Sequence, residues 1–100
     1  MLEETVRFLD DLLDNDEWAG IDAATNGLQV ENSGEVDKVA FAVDASTQTI
    51  EVAAERGADT LVAHHGFFWG GKDAVVGQDY DRFRLLVEHD MALYASHLPL

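Results

Sequence analysis

The chain has 100 residues, of which 47% are hydrophobic and 9% aromatic, enough for one small packed domain and too apolar for a disordered acidic tail. Its 20 acidic residues against 6 lysines and arginines give a formal net charge of -14, which repels phosphate backbones and anionic lipid and argues against nucleic acid and membranes as partners. The absence of cysteine excludes disulfides, thiolate metal sites and cysteine nucleophiles, so any metal must be held by imidazole and carboxylate.

Residues 2–14 repeat apolar side chains at Leu2, Val6, Leu9 and Leu13, widened by Phe8 and Leu12. That spacing predicts an amphipathic helix with Asp10, Asp11 and Asp14 on its wet side, and Glu3 and Glu4 suit the positive end of its dipole. Trp18 to Asn26 lacks periodicity and reads as a loop, followed by a short strand over Gly27, Leu28, Gln29 and Val30. Residues 36–43, VDKVAFAV, end in a continuous apolar run that suits a strand buried on both faces, with Asp44 at its carboxyl end.

Ser46 is a plausible N-cap for the next helix, on which Ile50, Ala53 and Ala54 share a face, and Gly57 supplies the left-handed residue that stops it. Leu61, Val62 and Ala63 form the following strand. Residues 66–78 are a loop, Asp79 caps a helix whose Tyr80, Phe83 and Val87 share a face, and residues 91–95 are a third apolar strand. The order predicts a three-layer α/β fold, 1–100 as one domain, with a mainly parallel sheet built from β-α-β units behind an N-terminal amphipathic helix. No run approaches the ~20 apolar residues that span a bilayer, and the N-terminus lacks a basic signal-like region, so the expected location is cytoplasmic. Only Lys38 and Lys72 are lysines; with so many carboxylates, that predicts adaptation to high salt, where self-repulsion is screened.

In open parallel sheets ligands collect beyond the carboxyl ends of strands. That edge carries Asp44, then His64 and His65, then Ser96 and His97. Adjacent residues inside a strand face opposite sides, so the two imidazoles can serve one site only if the strand ends there, which Gly66 makes plausible. Neutral imidazoles there would suit zinc, iron, nickel or copper; the alternative is a pair of ordinary hydrogen-bonded histidines. Asp44 is a candidate to orient an imidazole or bind substrate. His89, in the last turn of a helix, reads as structural. The loop Phe67, Phe68, Trp69 reads either as a wall that excludes water from the site or as a segment folded onto the core or another subunit.

NGLQVE at residues 26–31, GADTLVAHHGFFWGG at 57–71 and LYASHLPL at 93–100, in that order, resemble the Nif-three-like dinuclear metal proteins, or GTP cyclohydrolase 1 type 2 homologues. The resemblance implies two divalent metal ions, with zinc, iron or manganese as candidates, near the carboxyl ends of strands. His64 and His65 match the family's paired ligands, and His97 matches a histidine beside the site that contacts ligands rather than metal. It also implies a homo-oligomer, a hexameric ring, and a metal-dependent hydrolase acting on a purine nucleotide such as GTP, with release of formate. The family's remaining ligands fall after the LPL that ends this sequence, so the chain is expected to be an N-terminal portion. The competing readings are a non-enzymatic metal-binding or regulatory interaction protein and an incomplete fragment without activity.

Overall fold

The computed structural model describes residues 1–13, 27–66 and 74–96. Helix α1 (Leu2–Leu13) is followed by strand β1 (Gly27–Val30), strand β2 (Val39–Asp44), helix α2 (Thr47–Glu55), strand β3 (Thr60–His65), helix α3 (Gln78–Glu88) and strand β4 (Ala92–Ala95). The strands form one sheet in the order β1-β4-β3-β2, parallel from β2 through β3 to β4, with β1 antiparallel against β4. The expected strand, helix, strand units are both present. Helices α2 and α3 pack on each other, and Ile50, Ala53 and Leu86 join Leu61, Ala63 and Leu93 in the core on that face.

The opposite face carries Val62 and Tyr94, because successive strand residues alternate between faces. Helix α1 covers it: the fully buried Tyr94 donates its hydroxyl to Asp10 Oδ1 at 2.7 Å. Three layers result, as the element order predicts. Asp10 is therefore turned inward rather than onto the wet side, while Phe8 and Leu12 are exposed. The helix docks through a narrower apolar stripe, with the Asp10 carboxylate on Tyr94 and the Leu2 N–H on the Gly34 carbonyl among its polar anchors. Tyr94→Phe removes the donor to a partly buried carboxylate and is expected to cost roughly 1.5–3 kcal/mol in chemical denaturation; a loss below ~0.5 kcal/mol would show that Asp10 does not hold α1.

Two further expectations are corrected. Strand β2 is not buried on both faces. Its position at the sheet edge leaves Phe41 71% and Val43 65% exposed, whereas Ala40 and Ala42 pack inward. Helix α3 begins at Gln78 with Gly77 at its cap and no side-chain capping bond, and Asp79 pairs with Arg82 instead. Its buried residue is Leu86, with Leu85 partly buried beside it, and Tyr80, Phe83 and Val87 face out. Arg82 also donates to the Ala45 carbonyl at 3.3 Å, which ties α3 to the end of β2.

Helix α2 follows its signals closely. Ser46 accepts from the Thr49 N–H at 3.1 Å, and Gly57 takes φ +80° just beyond the helix. At the amino end of the sheet, Asn32 donates to the carbonyls of Glu35, Asp59 and Asp90, and the Asp59 and Asp90 carboxylates accept backbone N–H groups of Asp37 and Ser33. This polar clasp fixes the β1 to β2 connection and leaves the carboxyl end of the parallel strands for chemistry.

Candidate metal centre

Strand β3 runs through both histidines to His65, not only to Ala63. In a regular strand neighbouring side chains would point apart. Here the two rings converge, with centroids 4.6 Å apart and planes tilted by 49°. The strand ends at His65, directly before Gly66, and the two rings stand close enough to serve one ligand-binding locus.

The parallel register places Asp44 beside His65. Paired residues on neighbouring strands share a face, and Asp44 Oδ1 lies 2.6 Å from His65 Nδ1. The carboxylate can only accept, so Nδ1 is the donor in this contact. A carboxylate on the far nitrogen is the usual orienting device of a metal-ligating imidazole. Both side chains are substantially solvent-accessible, so the contact serves orientation more than stability. The Ala45 N–H donates to the His65 carbonyl at 3.2 Å, which fixes the backbone beneath the ring.

The end of β3 is also held from its other side. A Cβ on Gly66 would lie 2.7 Å from Ala95 Cβ and 2.8 Å from Gln29 Cδ, closer than real Cβ atoms come. Glycine is required there for close approach, not for an unusual φ. Gln29 carries no signal of its own in the sequence; it is marked only as part of the short strand Gly27–Val30 and of NGLQVE. Ser96, fully buried, donates its N–H to the Ala63 carbonyl at 3.0 Å and continues β4 along the same edge. A cleft of about 420 Å³ between the amino ends of α2 and α3 is lined by Ser46, Thr47, Gln78, Asp81 and Arg82.

Four expected contributors, His97 and the aromatic residues Phe67, Phe68 and Trp69, lie outside the described residues, as does the loop Trp18 to Asn26. His89 stands at the C-cap position of α3, where its backbone N–H donates to the Leu85 carbonyl at 3.1 Å. Among the described residues no group of three or more His, Cys, Asp or Glu side chains could enclose a metal ion. The donor set fits a divalent metal as one wall of a site: two converging imidazoles, one of them backed by a carboxylate.

The family model for Duf34/NIF3 (NGG1p interacting factor 3) matches residues 1–100. The chain belongs to the DUF34/NIF3 family. A Halobacterium salinarum relative named GTP cyclohydrolase 1 type 2 homolog is 60% identical over 80 residues, 79% of this chain and 32% of its own. An Archaeoglobus fulgidus relative of the same name is 50% identical over 99 residues, 99% of this chain and 40% of its own. A crystal structure of a Thermus thermophilus protein superposes with a TM-score of 0.91 at 41% identity, over 97% of this chain and 40% of that one. The DUF34/NIF3 fold thus accounts for all the described elements, and the chain spans about a third to two fifths of the length of the relatives it matches.

Proposed function

We propose that this chain supplies the paired-histidine wall of a dinuclear divalent-metal centre in a metal-dependent hydrolase acting on a purine nucleotide such as GTP. The observation that carries the reading is the oriented pair: His65 held at Nδ1 by Asp44, with the His64 ring 4.6 Å away. His64 and His65 would hold the metal, with zinc, iron or manganese suited to imidazole and carboxylate donors. A divalent ion bound there supplies a Lewis acid and activates water for hydrolysis. Asp44 keeps the proton on Nδ1 and so keeps His65 in the ligating tautomer. The name shared by the relatives supports the nucleotide assignment, but fold does not fix substrate. The further ligands and the hexameric ring, with a cytoplasmic location, belong to the same proposal, with His97 contacting the ligands from beside the site.

Two measurements test it. Asp44→Asn should weaken metal binding about 10–100-fold by calorimetric titration, because the amide no longer fixes the tautomer; unchanged affinity would remove Asp44 from the site. Metal-loaded protein, as this chain and as a form extended to the length of its relatives, is incubated with GTP and assayed for formate. Formate from the extended form supports the hydrolase. Metal binding with no turnover by either form favours the second reading, a metal-binding or regulatory protein, which the two-ligand donor set of the described residues also suits.

The acidic surface carries a separate proposal, adaptation to high salt. At ~1 M ionic strength charges are screened beyond about 3 Å. The thermal midpoint should rise between ~0.1 M and ~1 M potassium chloride as repulsion among the 20 carboxylates is suppressed. A midpoint independent of salt would refute it.

A further inference from the structure

The antiparallel ladder of β1 on β4 pairs Leu28 with Tyr94 and then Val30 with Leu93. Gln29 is the extra residue between them, a bulge at the edge of the sheet. Bulges of this kind locally bend a strand and re-aim a side chain, often beside a functional site. Here the re-aimed group is the carboxamide that lies over Gly66, the residue directly after His65, and Gly66 meets Ala95 on β4 as well.

We propose that Gln29 is a positioning residue: through Gly66 it holds the end of β3 in the shape that brings the His64 and His65 rings together. The end of β3 is gripped from two sides. On the β2 side, Ala45 holds the His65 carbonyl and Asp44 holds its ring. On the β1 and β4 side, the Gln29 carboxamide and the Ala95 methyl fill the space that a Cβ on Gly66 would take. Without the first grip His65 would lose its orientation. Without the second, the backbone after His65 can shift towards β1, and the adjacent rings relax towards the opposite-face arrangement of a regular strand. The close approach also explains why position 66 needs glycine although its backbone does not adopt a left-handed conformation.

The test is made on metal-free protein first. In the unsubstituted chain, ring protons of His64 and His65 should show a nuclear Overhauser contact. Gln29→Ala should abolish it, while Leu28→Ala on the same strand leaves it intact. Gln29→Met, which keeps length and volume, separates two forms of the role: restored ring contact identifies packing on Gly66, and continued loss identifies hydrogen bonding by the amide. If the alanine variant does not fold, the methionine variant is compared with Gln29→Asn, and loss of ring contact in either folded variant supports the role. Ring contact unchanged in every folded variant overturns it. Cobalt(II) titration then joins this inference to the metal reading, with Gln29→Ala expected to bind about 10–100-fold more weakly. Failure of the unsubstituted chain to bind cobalt would count against the metal reading alone, since the ring contact decides the role of Gln29 independently.

Discussion

If the proposed centre binds a divalent metal, the His64→Ala, His65→Ala double variant is expected to lose that binding and to keep its fold. Removing an orienting partner typically costs about 10–100-fold in metal affinity, and removing both imidazole donors must cost more than that. The fold should survive because neither ring belongs to the core, which is built from the aliphatic residues of β3 and β4 against α2 and α3. Metal content by elemental analysis and the thermal midpoint together read the result. Loss of metal at a nearly unchanged midpoint places the ligands. Full metal content in the double variant would sink the assignment, and loss of metal with loss of fold would be distinguished by the single variants, each of which retains one ring.

The meeting of Asp44 with His65 was legible in the sequence for a physical reason. A parallel ladder aligns strand ends, so an aspartate closing β2 and a histidine near the end of β3 fall on one edge once the strand, helix, strand order is recognised. The register then makes Asp44 and His65 neighbours on the same face. What the pattern of residues did not contain was the convergence of His64 with His65, because alternation predicts the reverse, and the placement of Gln29 against Gly66, because a one-residue bulge changes pairing without changing composition.

The fold shows the same division. Apolar periodicity located the elements but not their rank in the sheet. The run ending in VAFAV suits a central strand, yet the crossovers carry the chain from β2 through β3 to β4, and β1 pairs on the far side of β4, which strands β2 at an edge. In α3, Tyr80, Phe83 and Val87 form one apolar stripe and Leu85 with Leu86 another; only the tertiary contact with α2 selects the second. Asp10 departs from the solvated position that a helical carboxylate suggests because the Tyr94 hydroxyl stands opposite it.

Leu61→Ala tests that distinction most sharply. Leu61 is fully buried in the middle of the sheet, paired with Ala40 on one side and Leu93 on the other, and it packs into a core whose remaining members include Ala45, Ala53, Ala58 and Ala63. So many alanines leave the apolar burial to a few large side chains, and the neighbouring small residues have little reach to fill a void. Truncation is expected to cost ~2–5 kcal/mol in urea unfolding, through lost transfer energy and the residual cavity. Against a total of about 5–15 kcal/mol for a small domain, that is a large fraction of the stability, and the midpoint should fall by roughly 4–8 °C for each kcal/mol. Phe41→Ala removes a larger side chain from the neighbouring strand, yet at 71% exposure it should stay within about 0.5 kcal/mol. Equal costs at the two positions would mean that β2 is covered rather than exposed at the edge, whereas a large cost at Leu61 alone follows from a core that lies between β3, β4 and the two packed helices.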